Sequence, residues 1–241
     1  MSDVYESDQL LSEYLLMHYG NDQELMPWGF GPKDAIGFPT RTVGHFPPET
    51  GTRALDLGCA VGRSSFELSK DSEEVVAMDF SHSFIAAAEE MRTKGSLDYL
   101  MLETGNQTSP ATASLPEGSQ PEKVRFFQGD AMNLPADLGS FHRVHAANLI
   151  CRLPEPKKLL QRLPDLVKPN GHLILATPCT WLDEFTAPDK QPEDDTFEWL
   201  EKQLEGAFKL VSRHDEPFLI RETARKFQWT VSLVTVWERL S

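Results

Sequence analysis

The chain has 241 residues, of which 40% are hydrophobic, and this is enough for one α/β domain with a sizeable core. Its net charge of −14 disfavours DNA and RNA as partners, because nucleic-acid binding takes most of its affinity from clustered lysines and arginines. No run of about 18 apolar residues predicts a membrane span, and the first residues carry no cleavable signal. We therefore expect one domain over residues 1–241, soluble and cytoplasmic, without membrane attachment.

Residues 1–50 are predicted to form an amino-terminal arm, or lid, that precedes the first strand. Within residues 8–19, apolar and aromatic side chains recur at helical spacing. Prolines and glycines between positions 27 and 39 then favour an irregular segment.

Apolar runs alternate with helical patterns along the rest of the chain. The predicted strands are 53–57, 75–79, 124–128, 143–147 and 172–176. The predicted helices are 63–70, 83–94, 157–167 and 195–205. Such alternation is typical of a parallel sheet with right-handed crossovers. Strand-like residues at 208–211 and 228–237 predict an antiparallel pair at its end.

Residues 100–122 interrupt this rhythm. Glycine, proline and serine crowd the segment, and large apolar side chains are few. We predict a mobile surface insertion there.

A nucleotide-binding layout follows the first strand. Gly58 and Gly62 would let a strand turn sharply into a helix and let a ligand approach the backbone. Asp79 ends the next apolar run, at the offset expected of an acid that accepts hydrogen bonds from both ribose hydroxyls. The layout predicts a nucleotide or nucleoside ligand.

The glycine pattern narrows the choice of nucleotide ligand. A dinucleotide loop needs a third glycine that this chain lacks. Asp56, Gly58, Ala60 and Gly62 instead resemble the loop of class I S-adenosylmethionine-dependent methyltransferases, with Ala60 in place of the middle glycine. A dinucleotide site and an ordinary strand-to-helix turn stay open as alternatives.

Other cofactor contacts are expected at the carboxyl ends of the strands, where ligands of open α/β sheets bind. Asp130 would accept from the adenine amino group, with Phe80 and Ala131 on the two faces of the purine. Asn148 follows the next strand and is also assigned to the cofactor. Alternatively, Asp130 only caps a turn.

Several further motifs resemble one family, the methyltransferase of ovothiol biosynthesis, which methylates 4-mercaptohistidine at N1. They are Phe38-Pro39-Thr40-Arg41, the segment 148–154, the segment 181–185 and the segments 217–222 and 225–229. The family often forms the carboxyl-terminal domain of the sulfoxide synthase that joins cysteine to histidine. The resemblance covers nearly the whole chain except 100–122. It implies a Rossmann-like fold with a mostly parallel seven-stranded sheet and functional association with a separate synthase.

The chemistry implied by this resemblance is methyl transfer to the ring nitrogen of 5-thiohistidine nearer the amino-acid backbone. S-adenosylmethionine would be the donor and S-adenosylhomocysteine the product. Tyr19, Asp183 or Glu184 could hold the required ring tautomer. No metal is expected, since His142 and His145 would lie on opposite faces of a strand and the three cysteines form no C-x-x-C pair.

An amino-acid substrate also requires partners for its carboxylate and its ring. Arginine suits a carboxylate, and the candidates are Arg152, Arg221 and Arg225; Arg41 could bind the methionine carboxylate of the cofactor. The aromatic candidates for the ring are Trp181, Phe227 and Trp229. For each of these residues a surface, ion-paired or core position is the alternative.

Two other functions stay open. One is a methyltransferase for a different small imidazole, amine or thiol. The other is a protein that binds S-adenosylmethionine without turnover, as a partner of a separate synthase.

Overall fold

The computed structural model describes residues 3–49 and 51–241. Its strands are β1 (Thr52–Leu57), β2 (Ser72–Asp79), β3 (Ser96–Thr104), β4 (Gln107–Ser114), β5 (Val124–Gln128), β6 (Phe141–Ala147), β7 (Val167–Thr177), β8 (Phe208–Arg221) and β9 (Phe227–Arg239). Its α-helices are α1 (Asp8–Tyr19), α2 (Asp22–Leu25), α3 (Phe38–Val43), α4 (Arg63–Leu68), α5 (His82–Lys94), α6 (Pro156–Leu166) and α7 (Thr196–Leu204).

Seven of these strands form one mixed sheet in the order β5-β2-β1-β6-β7-β9-β8. The first five in this order run parallel, while β9 is antiparallel to both β7 and β8. The predicted α/β, Rossmann-like sheet with a carboxyl-terminal antiparallel pair is confirmed.

The central strands are buried on both faces, which explains their continuous apolar runs. One core cluster contains Ala54 and Phe66, and the other contains Leu55 and Leu57, because successive residues of β1 point to opposite faces. Helix α6 covers the second face with four fully buried leucines at helical spacing: Leu159, Leu160, Leu163 and Leu166.

The prediction of an irregular insertion at 100–122 is wrong for most of that segment. Strands β3 and β4 form an antiparallel hairpin. Successive side chains of each strand point to opposite faces of the hairpin. Tyr99, Met101, Ala111 and Ala113 point to the inner face and are buried. Pro110 fits because β4 is an edge strand, where a missing N–H removes no ladder bond. The buried side chains of β4 are alanines, too small to signal a strand by hydrophobicity.

The predicted arm packs onto the first core cluster. The helix expected at 8–19 is present as α1, and its Leu15 and Leu16 are buried there. The segment expected to be irregular, between positions 27 and 39, has little regular structure: it contains the short 3-10 helix Lys33–Ala35 and the first residues of α3, while α2 ends before it. Met1, Ser2 and Thr50 belong to the predicted arm but lie outside the described residues. None of the helices in the described ranges is long and apolar enough to cross a membrane.

Candidate functional site

The turn between β1 and α4 passes through three residues with positive φ. These are Gly58 (φ 70°), Ala60 (φ 47°) and Gly62 (φ 87°). A left-handed alanine costs roughly 1–2 kcal/mol, and a hydrogen bond from the Ala60 N–H to Asp79 Oδ2 at 2.9 Å holds it in place. The alanine therefore keeps the loop shape that a middle glycine would adopt without strain.

Asp79 closes this loop from the end of β2. Its Oδ2 accepts from Ala60 N and its Oδ1 accepts from Ser81 N, both at 2.9 Å. Burial raises the pKa of Asp79 to about 6, although these backbone hydrogen bonds oppose the rise. Each carboxylate oxygen has a further lone pair, so the side chain can still accept from two ligand hydroxyls.

A cleft opens at the carboxyl ends of the parallel strands, beside this loop. Residues from the strand ends that line it are Asp56, Gly58, Cys59, Ala60, Met78, Asp79, Phe80, Gly129, Ala131, His145, Ala147, Asn148, Leu149 and Arg152. Residues from the arm and from β8 line the opposite side: Tyr5, Tyr14, Met17, His18, Phe38, Pro39, Phe218 and Ile220. The cleft is mainly apolar and has few charged groups.

A buried Asp–His pair lies at the base of the cleft. Asp56 Oδ1 is 2.9 Å from His145 Nδ1, and these residues are cross-strand partners on β1 and β6. Ser65 Oγ donates to Asp56 Oδ2 at 2.6 Å, and His145 Nε2 lies 3.1 Å from Thr42 Oγ1. Sequence reasoning missed His145, although a polar residue within a buried apolar strand is a usable signal.

The arm closes the cleft from above. The Tyr5 ring lies 6.0 Å from Phe84 on α5 and 6.3 Å from Phe185 after β7, and it thus bridges two rims of the cleft. Glu6 accepts from the backbone N–H groups of His82 and Ser83 at the start of α5. A carboxylate is favourable at that end of a helix. The aromatic spacing of the arm could have indicated these contacts.

Most residues predicted for the cofactor lie on this cleft. Asp56, Gly58, Ala60, Asp79, Phe80, Ala131 and Asn148 all line it. Gly62 does not, because it begins α4 and packs against Phe126. Asp130 Oδ1 accepts from Met132 N at 2.9 Å and so caps a turn, as the alternative reading held, while its neighbours Gly129 and Ala131 reach the cleft.

The three residues predicted to hold a substrate tautomer lie outside the cleft lining. The Tyr19 hydroxyl donates to the Val61 carbonyl at 2.7 Å, so Tyr19 supports the glycine loop from behind. Asp183 is exposed and accepts from Gln191, and Glu184 is exposed. These assignments are corrected, because the segment after β7 turns its acids to the surface.

Three of the four predicted arginines also lie elsewhere. Arg41 donates to Glu216 Oε2 at 2.6 Å and to the carbonyl oxygens of Ile36 and Pro217. The buried guanidinium of Arg221 is paired with Glu103, and that of Arg225 lies 5.0 Å from the centre of the Trp28 ring. Their partners are distant in sequence, so spacing could not reveal them.

The predicted aromatic residues are structural or exposed. Trp181 Nε1 donates to Thr196 Oγ1 at 3.0 Å, and its ring packs edge-on against Trp199. Phe227 packs against the cluster around Leu219, and Trp229 is 56% exposed on β9. Of the predicted substrate residues, only Arg152 lines the cleft.

Removal of Arg41 should therefore affect stability and spare ligand binding. We expect Arg41→Ala to lower the free energy of unfolding by about 1–2 kcal/mol, because Glu216 and two carbonyl groups lose a partner. Urea unfolding measures this loss. Calorimetry should give an unchanged affinity for S-adenosylhomocysteine; a lowered affinity in a stably folded variant would restore the predicted cofactor role.

Known proteins agree with the fold. Residues 55–175, half of the chain, match the family described as methyltransferase domain. Demethylmenaquinone methyltransferase of Clavibacter sepedonicus is 28% identical over 185 residues, which cover 75% of this chain and 57% of that protein. A tRNA U34 carboxymethyltransferase of Idiomarina loihiensis is 26% identical over 176 residues, covering 68% and 48%. The chain spans about half the length of these relatives.

Solved structures show the same fold. N-methyltransferase NodS from Bradyrhizobium japonicum superposes with a TM-score of 0.57 at 13% identity, covering 84% of this chain and 94% of NodS. A SAM-dependent methyltransferase from Methanosarcina mazei gives a TM-score of 0.55 at 16% identity, covering 80% and 94%. At these identities the likeness concerns the fold alone.

S-adenosylmethionine fits the residues present. Asp79 lines the cleft and keeps lone pairs that suit ribose hydroxyls, and Phe80, Ala131 and Leu149 offer apolar surface for a purine. A bend of positive-φ residues brings backbone close to the ligand. The chain thus belongs to the methyltransferase domain family and has the fold of class I S-adenosylmethionine-dependent methyltransferases.

Proposed function

We propose that this methyltransferase acts on 5-thiohistidine and methylates the ring nitrogen nearer the amino-acid backbone. The supporting observation is the single arginine of the cleft. Arg152 is the one lysine or arginine among the described residues that line it. A small acid with a flat ring therefore matches the cleft, and the motifs shared with the ovothiol methyltransferases favour thiohistidine.

The contacts of Arg152 support the proposal of an anionic ligand. Its Nη1 donates to the Thr180 carbonyl at 3.0 Å and to the Cys151 carbonyl at 3.2 Å, and its guanidinium lies 5.1 Å from the centre of the Phe185 ring. These contacts engage Nη1, and Tyr5 hydrogen-bonds to the same guanidinium; the remaining N–H groups would bind a carboxylate. Tyr5 lies beside it: burial raises the pKa of Tyr5, and the charge of Arg152 opposes that rise.

The rest of the substrate would meet aromatic walls. Tyr5 and Tyr14 approach from the arm, Phe84 from α5, and Phe38 and Phe218 from α3 and β8. Flat rings pack well against such surfaces. The same walls exclude water, which strengthens the electrostatic contacts of a bound charged group.

The bound cofactor supplies an electrophilic methyl group, so the protein's work is orientation and desolvation. The substrate nitrogen contributes its lone pair to the new N–C bond, and the electrons of the broken S–C bond remain on the departing sulfur. The ring proton stays on the other nitrogen, and no basic residue is required. Arg152 and the aromatic walls would turn the nitrogen, rather than the softer thiolate, toward the methyl group.

A second candidate substrate is a flat aromatic compound without a carboxylate. The demethylmenaquinone methyltransferase similarity and the mainly apolar cleft favour it. The need for Arg152 separates the two candidates, because only the amino acid carries a carboxylate.

We also propose that a separate sulfoxide synthase supplies the thiohistidine.

Product identification tests the proposal directly. The protein is incubated with S-adenosylmethionine and, in parallel, 5-thiohistidine, histidine and a demethylated quinone. We expect methylation of 5-thiohistidine alone, with NMR placing the methyl group on the nitrogen nearer the backbone. Methylation of the quinone, of the sulfur, or of none of the three would contradict the proposal.

Substitution of Arg152 should separate substrate from cofactor binding. We expect Arg152→Gln to raise KM for 5-thiohistidine by at least about tenfold, because the carboxylate loses a charge-assisted partner. The matched control is the decarboxylated analogue of the substrate, whose KM should not change. An equal effect on both substrates, or a weaker binding of S-adenosylhomocysteine, would remove Arg152 from the carboxylate site.

A further inference from the structure

One buried nitrogen in the cleft has no partner. His18, on the last turn of α1, lines the cleft, and its Nδ1 is sealed from solvent without a hydrogen bond to any residue of 3–49 or 51–241. Such an atom costs free energy in the folded protein, and native structures keep few of them. A group that is present only when the cleft is filled would satisfy it.

The surroundings keep the His18 ring neutral and fixed. Burial, reinforced by the nearby Arg63, lowers the pKa of His18 to about 3, although Asp56 opposes the shift. The ring stacks on Tyr14 at 6.0 Å and lies 6.3 Å from Tyr19. Arg63 also donates to the His18 carbonyl at 3.1 Å, which ties this end of α1 to the start of α4.

A neutral histidine prefers its proton on Nε2, which leaves a lone pair on Nδ1. The missing partner is then a hydrogen-bond donor. Asp56 and Asp79 both line the same cleft and would attract a positively charged donor, whereas the nearby Arg63, which shares Glu67 with Lys70, opposes a positive charge at His18 itself. An α-ammonium group supplies such a donor, and it would share the cleft with the two carboxylates.

We propose that His18 Nδ1 accepts a hydrogen bond from the α-ammonium group of an amino-acid moiety bound in the cleft. This inference rests on the proposed function and deepens it, since two ligands of the reaction carry such a group. One is the methionyl end of the cofactor, and the other is the amino-acid substrate. Asp56 and Arg63, the two charged groups that act on His18, precede and follow the glycine loop in sequence. His18 therefore lies at the end of the cleft that is near this loop.

The test compares ligands with and without that group. Calorimetry is performed on wild type, His18→Leu and His18→Asn with S-adenosylhomocysteine and with 5′-methylthioadenosine, which lacks the amino-acid end. We expect His18→Leu to lower the affinity for S-adenosylhomocysteine by at least about tenfold and to leave the affinity for 5′-methylthioadenosine unchanged. Asparagine can place an acceptor oxygen near the Nδ1 position, so His18→Asn should recover much of the affinity.

A second arm addresses the substrate as the source. If S-adenosylhomocysteine binding is unchanged, His18→Leu should raise KM for the amino-acid substrate about tenfold while sparing its des-amino analogue. Either selective loss supports the inference. Equal weakening of ligands with and without the ammonium, or no effect in either arm, overturns it. Wild-type protein that binds neither nucleoside would overturn the proposed function as well.

Thermal unfolding distinguishes a structural role. Because His18→Leu removes an unsatisfied buried nitrogen, the melting temperature of the unliganded variant should not fall. A lower melting temperature, combined with a uniform loss of affinity, would assign His18 to the fold and contradict the inference.

Discussion

The Gly62→Ala variant should lower the free energy of unfolding by about 2–4 kcal/mol. Gly62 begins α4 with φ 87°, a region that alanine adopts only with strain. An added Cβ would also lie 2.8 Å from the Phe126 ring and 3.2 Å from Ala88 Cβ. Backbone strain and overpacking therefore act together at one position. Urea unfolding measures the loss.

Gly95 provides a matched control. It ends α5 with φ 83°, but a Cβ there would meet nothing within 4 Å. We expect Gly95→Ala to cost about 1 kcal/mol, the backbone contribution alone. Equal losses at the two glycines would show that Phe126 and Ala88 yield freely, and that close packing does not require the glycine at 62.

The Asp79→Ala variant should weaken the binding of S-adenosylhomocysteine by about 1–3 kcal/mol, which is roughly a 5- to 150-fold increase in Kd. Ribose hydroxyls lose their acceptor, and the Ala60 N–H loses the bond that holds the loop. Calorimetry measures the change. Glu73→Ala is the control, because Glu73 is an exposed acid on the same strand, toward the opposite edge of the sheet. Comparable losses in both variants would reduce the effect to net charge.

The same side chain predicts a pH dependence. With the pKa of Asp79 raised to about 6, part of the free protein carries a protonated carboxyl below that pH. Hydroxyl donors favour the ionised form, so affinity for S-adenosylhomocysteine should rise from pH 5 to pH 7 and then level off. In the unliganded protein the sign is opposite: the contribution of Asp79 to stability falls as pH rises through about 4 to 6. An affinity that does not change between pH 5 and pH 7 would contradict the raised pKa of Asp79 or its contact with the ribose.

The parts of the site that could be predicted from sequence are governed by local rules. Gly58 and Asp79 follow directly from strand ends, and the carboxyl ends of parallel strands meet at one edge of a sheet. The parallel direction of the central strands follows from the alternation of strands and helices. These features need no knowledge of which side chains meet across the molecule.

The remaining parts depend on long-range partners. Arg41 pairs with Glu216 and Arg221 with Glu103, and both acids are far away in sequence. The shared motifs around these arginines supplied no information on which way the side chains point. Conversely, His18 reaches the cleft only because α1 folds back over the sheet. The hairpin β3–β4 was missed because alanines form the buried face of β4.

Ser81 connects Asp79 with the amino-terminal arm. Its N–H donates to Asp79 Oδ1, and its hydroxyl donates to the carbonyl of Tyr5 in the arm. The arm over the cleft and the acid that we expect to bind the ribose are thus hydrogen-bonded to the same residue. Ser81 would lose one hydrogen bond if the arm moved away, so we expect entry of an acceptor molecule and release of the nucleoside product to be coupled.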